Sequence, residues 1–499
     1  MKKILAIIQC VVLVSSLVVG VASASPNESN SQSATKKSGF KVSGPIKGGE
    51  HGWPFGTYFG DIKKLGYIEE EYFINGDAQR YSAVGELSPD GKWTIEKGST
   101  SPYKTRILVR RPIDPSKFNG TVIVEWANVS NGYEISMADP PGIYKNGFAY
   151  VSVSAQPLGV HGYENKPQGL VTWDAERYGS LSIPDDGVSY DIFTQAARAV
   201  GPTRNSNKNP NASLGNKVDP MGGLNVRKLI AAGGSQSGNR LLAYTNGIQP
   251  IEHTFDAIVP IINAGAASDF EDAIAHPDPN QHSRSIKTKV RDDLTTPVMQ
   301  INSQTESLYY YTQRQPDTNF FRSWEIAGGS HAPVRTMQLI RQKTDRDGLT
   351  DSINTYSAIR SSEVNWIYTV DAAFQHINVW INGGDPPPQM QPMELSSTKT
   401  SYMNDQYGNA KGGIRLPELE VPIARYIAGP TIALGGYTIP FTEAQLKELY
   451  PTHEAYVQKV KAAAIAAKDA GVILPYRVEE YVKAAEAAPI PTSIMPNLK

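Results

Sequence analysis

The stretch Lys228-Leu229-Ile230-Ala231-Ala232-Gly233-Gly234-Ser235-Gln236-Ser237-Gly238-Asn239-Arg240-Leu241-Leu242 decides how this chain is read. A short apolar run meets two glycines and a serine, and a helix-like pattern follows. Strand, tight turn, serine and helix together form the context of a nucleophile elbow, in which a strained turn lifts a serine hydroxyl above the end of a sheet. Small residues are needed two places either side of such a serine, and Gly233 and Ser237 stand there. Ser237 is a poorer nucleophile candidate, because its own neighbours at those offsets are Ser235 and Asn239. A glycine turn that only packs a strand on a helix, or one that binds phosphate, is the alternative. No Walker lysine follows, and Gly-x-Gly-x-x-Gly is absent here.

Working outward, short apolar runs recur at Thr121 to Glu125, Phe148 to Val153, Ala257 to Ile262 and Pro297 to Ile301. Helix-like stretches such as Tyr190 to Val200 and Asn239 to Thr245 separate several of them. Buried strands alternating with helices predict an α/β fold with a mostly parallel central sheet flanked by helices. Residues 39–119 read as a β-rich N-terminal part, with strands over Tyr67 to Ile74 and Thr105 to Val109. Residues 120–395 form the expected catalytic core. Residues 396–499 read as a helical C-terminal extension, with helical spacing over Thr442 to Lys468 and Tyr476 to Ala487. The segment 262–297 is long enough to hold a lid.

A serine hydroxyl needs a base. Among 8 histidines, His331 stands out in Ile326-Ala327-Gly328-Gly329-Ser330-His331, a glycine loop after the last apolar strand. Its place matches the chain order Ser, acid, His. The acid should follow the preceding strand, and Glu306, in Asn302-Ser303-Gln304-Thr305-Glu306, is the first choice. Asp317 is the reserve. The backbone N–H of Gln236 is the expected first oxyanion donor, at the N-terminus of the following helix. The second is placed near Asn128, after the Thr121 strand, with a structural turn held by its side chain as the alternative. His276, Asp278 and His282 could form a metal cluster, but their prolines favour a solvated loop. His376 sits in a helical stretch and reads as packing.

The resemblance to a known family rests on several stretches. They are Gly66-Tyr67-Ile68-Glu69-Glu70-Glu71-Tyr72, Phe118 to Ser130, Arg177-Tyr178-Gly179, Gly233 to Ser237, Trp324 to His331 and Gly412 to Pro417. With these the chain resembles the alpha/beta hydrolase domain family of bacterial hydrolases, from about Gly39 to the C-terminus. The resemblance implies the α/β-hydrolase fold and an esterase-like activity. It implies Ser235-Gln236 as the elbow and His331 as the base. The family often has an acid where Gln304 stands and another two places on; here only Glu306 keeps the charge.

Composition narrows the classes further. The whole chain has a formal charge of −1, and setting aside Lys2 and Lys3 of the leader leaves −3, so no basic face for nucleic acid is expected. Lys2 and Lys3, the apolar run Ile4 to Val21 and Ala22-Ser23-Ala24 read as a secretory signal peptide over residues 1–24, with an uncleaved anchor as the alternative. Residues 25–38, rich in Ser, Asn and Lys, read as a disordered leader. The single cysteine, Cys10, lies within the signal, which excludes disulfides and thiolate chemistry after cleavage. The expectation is a secreted serine hydrolase acting on a small-molecule or polymeric ester, with no cofactor, no metal and no membrane span after cleavage. An amidase or peptidase with the same triad is one rival. A cell-surface binding protein that kept the fold and lost activity is the other.

Overall fold

The computed structural model describes residues 39–204, 218–270, 285–349 and 361–492. The expected signal peptide, the leader, the His276–His282 cluster and residues 271–284 of the segment expected to hold a lid lie outside the described residues.

Nine strands form one sheet. They are β1 (Phe40–Ser43), β2 (Tyr67–Ala83), β3 (Ile95–Pro112), β4 (Thr121–Trp126), β5 (Ala149–Val153), β6 (Lys228–Gly234), β7 (Ala257–Ile261), β10 (Val298–Ser303) and β11 (Phe321–Ile326). Two-residue strands β8 (Ala266–Ala267) and β9 (Ile286–Lys287) pair with each other, as do β12 (Ala424–Ile427) and β13 (Tyr437–Pro440). The sheet order is β1-β2-β3-β5-β4-β6-β7-β10-β11. From β5 to β11 every neighbour is parallel, while β1, β2 and β3 join antiparallel. The β-rich N-terminal part therefore extends the central sheet instead of standing apart from it.

Strands β4, β5, β7 and β10 are buried at every residue, which is why they read as unbroken apolar runs. Their side chains alternate between two cores. Val122, Val124, Ala231 and Ile258 face a core shared with the helices Ser189–Val200 and Gln236–Ala243. Ile123, Ile230, Ala232 and Ile301 face another, covered by the helix Ile367–Ile381 and by the C-terminal helices His453–Asp469 and Pro475–Ala487. Period-2 alternation with both faces covered produces this arrangement.

The C-terminal extension is only partly helical. Residues 396 to 440 run as turns, the one-turn helix Pro417–Glu420 and the β12–β13 pair, and the longer helices begin at Glu443–Leu449. A buried ion pair docks the last helix, where Arg477 reaches Asp371, whose carboxyl also accepts the Gly142 N–H at 2.8 Å. Among the described residues no helix is long and apolar enough to cross a membrane.

Candidate active site

All six parallel strands end at one edge of the sheet, and the candidate residues follow those ends, as ligand sites do in open α/β sheets. Ser235 connects β6 directly to the helix Gln236–Ala243 with φ 59° and ψ −121°. Such a conformation costs a non-glycine residue roughly 1–3 kcal/mol. The surroundings impose it. The Ser235 N–H donates to the Ile261 carbonyl at 2.9 Å, and its carbonyl accepts the Asn239 N–H at 3.0 Å to start the helix. Ser235→Gly should therefore unfold at a higher temperature than Ser235→Ala, since only glycine relieves the strain. Differential scanning calorimetry on the two variants checks this, and equal midpoints would remove the strain.

The tightest packing at the turn is at Gly234 and Gly238. A Cβ on Gly234 would lie 2.6 Å from Met137 Cβ, and one on Gly238 would lie 2.8 Å from the Ile261 carbonyl. At Gly233 the nearest atoms are 3.2 Å away. Ser237 is fully buried, and its hydroxyl donates to the Gly234 carbonyl at 2.9 Å, which leaves it no nucleophilic task.

Gln236 opens the helix, so its N–H lies in the first turn, where helical partners are lacking. Its side chain is held in place: Nε2 donates to Gln156 Oε1 at 3.0 Å, and Gln156 Nε2 donates to Asp186. Asp186 in turn pairs with the buried Arg240 at 2.8 Å.

Asn128 does not have the role expected of it. Its N–H donates to the Ile135 carbonyl at 3.0 Å, so that donor is already spent. Its side-chain amide donates to the Gly234 carbonyl at 3.0 Å, and its Oδ1 accepts the Ser130 N–H at 3.0 Å. Asn128 clamps the backbone of the elbow, because every polar group it has is committed to closing its own loop or to Gly234.

His331 and Glu306 meet. His331 Nδ1 lies 2.7 Å from Glu306 Oε1, and the Glu306 side chain is 5% exposed. The other carboxylate oxygen accepts the Ser303 N–H at 3.0 Å and its hydroxyl at 2.6 Å, closing a capping box on the helix Gln304–Tyr310. Glu306 thus sits in the first turn after β10 with both oxygens engaged. Asp317 lies elsewhere. It precedes β11, at the opposite end of that strand from His331, and accepts the Ser323 N–H at 3.1 Å.

Sequence reasoning missed the residues that pin the histidine loop. The Thr305 hydroxyl accepts the His331 N–H at 3.0 Å, and Gln304 Oε1 accepts the Gly328 N–H at 2.7 Å. Trp366 Nε1 donates to the Ser330 carbonyl at 2.8 Å. His376 packs edge-on to Trp324 and bonds the Gly471 carbonyl, as its helical setting suggested. Also missed were Glu69 and Glu71 on β2, which pair with Arg110 at 2.6 Å and with Arg106 at 2.7 Å on β3. Arg177 joins Glu71 at 2.6 Å. The run Glu69-Glu70-Glu71, with Arg106, Arg110 and Arg111 on the strand paired to it, was the available signal.

Glu125, fully buried on β4, accepts the N–H groups of Met137 and Ala138 and the Tyr150 hydroxyl. Burial raises its pKa from 4.5 to about 7, against the pull of those three donors. The folded state therefore keeps a proton that the unfolded chain releases. Stability from this group is fully present below pH 4.5 and is lost as pH rises through 7. Glu125→Gln should flatten that dependence by roughly 3 kcal/mol, at 1.36 kcal/mol per pH unit. Urea unfolding of both proteins at about pH 4.5 and about pH 8 tests it. Parallel pH profiles would mean that Glu125 does not bind the proton.

The loop these donors anchor borders a cavity of about 270 Å³. Met137 lines it and packs on Gly234. The helix Val334–Arg346, which follows the histidine loop, forms the opposite wall. Among the described residues no group of three or more metal-ligating side chains occurs.

Fold and site together define an α/β-hydrolase: a mostly parallel sheet, a serine at a strained strand-to-helix turn, and a bonded histidine and carboxylate at the same edge. The chain belongs to the alpha/beta hydrolase domain family, whose model matches residues 42–483. No curated protein matches it by sequence. Solved structures similar to it include the esterase Est22, at 12% identity and TM-score 0.21, covering 40% of this chain and 46% of that one. A glucuronoyl esterase from Solibacter usitatus has 9% identity and TM-score 0.24, over 61% and 83% of the two chains. An esterase from Rhizomucor miehei has 10% identity and TM-score 0.28, over 58% and 85%. The chain spans less than half the length of Est22.

Proposed function

We propose that the protein is a secreted serine hydrolase that cleaves carboxylic esters through an acyl-enzyme on Ser235. His331 takes the proton from the Ser235 hydroxyl as it attacks the ester carbonyl. Glu306 fixes the imidazole tautomer and stabilises the imidazolium, and the Gln236 N–H donates to the oxyanion. The protonated imidazole then gives its proton to the leaving alcohol. Water attacks the acyl-enzyme by the same route and frees the serine.

One observation carries this reading. A serine held at φ 59° and a histidine bonded to a buried carboxylate at 2.7 Å occupy the same edge of the sheet. A binding protein without chemistry has no need to maintain either the strain or the pair. Secretion rests on the N-terminal basic, apolar and Ala-Ser-Ala pattern. Labelling with a fluorescent fluorophosphonate tests the nucleophile. The wild type should be labelled and Ser235→Ala should not; undiminished labelling of the alanine variant would end Ser235's role.

A further inference from the structure

The cavity of about 270 Å³ shares Arg335, Asn365 and Tyr368 with a second one, of about 520 Å³. The second lies among the start of the helix Val334–Arg346, the short helix Pro417–Glu420 and the C-terminal helices His453–Asp469 and Pro475–Ala487. Its size suits a small organic molecule. Ser235, Gln236 and His331 do not line it, so it stands apart from the proposed chemistry. Its wall carries the carboxylates of Glu363, Glu418 and Glu480 and one basic side chain, Arg335. Glu480 is paired with Arg477 and, at 3.3 Å, with Lys145. Glu418 has no such counter-charge. Half-buried, it accepts the Asn365 N–H at 3.3 Å and the Tyr481 hydroxyl at 3.0 Å, and no basic side chain pairs with it among the described residues. Arg335 is exposed, where water screens its charge, and its hydrogen bond is to the Tyr368 hydroxyl at 3.3 Å.

A second observation puts an unspent polar group beside that carboxylate. Asn365 is 4% exposed and lines the cavity, yet neither its side-chain nitrogen nor its oxygen has a hydrogen-bond partner. A buried amide with both ends unpaired costs stability, so its retention calls for an explanation. Tyr426, Tyr456 and Tyr481 also line the space, with Val421, Val460 and Ile490. Burial, and after it the Glu418 charge, holds all three phenols above their ordinary pKa. Burial likewise raises the pKa of Glu418 itself, against its N–H and hydroxyl donors and the Arg335 charge. The Glu418 charge is thus felt along the cavity wall, and it lacks the close cation that buried carboxylates usually have.

We propose that this cavity binds an organic ammonium, held by the Glu418 carboxylate and the Asn365 side-chain oxygen. The ammonium donates to both in charge-assisted bonds and supplies the counter-charge that Glu418 lacks. Its hydrocarbon body lies against the tyrosines and the aliphatic side chains, and the ring faces add their own attraction for a cation. A hydroxyl oxygen next to the ammonium can accept from the Asn365 nitrogen. Among the described residues no three metal-ligating side chains gather here, so the apolar wall, not a cage of oxygens, sets the ligand class.

Isothermal titration calorimetry with hexylammonium chloride and with neutral 1-hexanol tests the site at about pH 7.5, where the amine is charged. The wild type should bind hexylammonium saturably at millimolar concentration, and about tenfold or more tightly than hexanol. Glu418→Gln keeps an acceptor for the Asn365 N–H and removes the charge. It should weaken hexylammonium binding about tenfold and leave hexanol unchanged. That variant is read only if its melting temperature matches the wild type. If it does not, Ala484→Lys takes its place. Ala484 lines the cavity and is exposed, so the added charge should weaken hexylammonium binding about threefold or more and spare the fold. No saturable binding by the wild type, equal affinity for hexanol, or an affinity unchanged in the variant that is read overturns the site. None of these outcomes touches the role of Ser235, because ester turnover is not what is measured.

Discussion

Ser235→Ala is expected to lower kcat toward esters by roughly 10⁵–10⁶-fold while leaving the protein folded. The residual rate should come from binding and from the Gln236 N–H, which the substitution does not touch. The fold should survive because the Ser235 backbone bonds, to the Ile261 carbonyl and from the Asn239 N–H, do not involve the hydroxyl. Alanine keeps the strained conformation, so the loss would report on the oxygen alone. Steady-state kinetics with a chromogenic ester measures it. A variant within a hundredfold of wild type would show that the attacking group lies elsewhere.

Glu306→Gln is expected to cost about 10⁴-fold in kcat, nearly as much, with no change in stability beyond the cap. The hydrogen bonds themselves give the reason. Ser303 donates both its N–H and its hydroxyl to one Glu306 oxygen, so a glutamine must turn its carbonyl oxygen that way. Its NH₂ then faces His331 Nδ1, which must accept instead of donating. The ring proton moves to Nε2, the nitrogen that should take the serine proton, and the base is lost. Kinetics alongside a thermal melt separate this from unfolding. Activity within tenfold of wild type would mean that Glu306 only caps the helix.

Much of the fold was legible because its causes are local. Strands β4, β5, β7 and β10 are apolar throughout since both faces are covered, and the glycines before Ser235 mark the turn. The C-terminal extension carries its long helices where the helical spacing lay, and over 396 to 440 it adds turns, the short helix Pro417–Glu420 and a strand pair. Its helices were visible because alanine-rich spacing needs no partner to be recognised.

The chain alone determined which segments are strand or helix and which residues carry usable chemistry, because side-chain period and turn chemistry act within a few residues. Only the tertiary structure decided which of these groups meet. Glu306 bonds His331 across 25 residues while Asp317 is held at the far end of β11. Asn128 spends its donors on Ile135 and Gly234, and the Asn365 side-chain amide is left without a partner. Whether a polar group is free or committed depends on neighbours that folding brings from distant parts of the chain, and no local pattern records them.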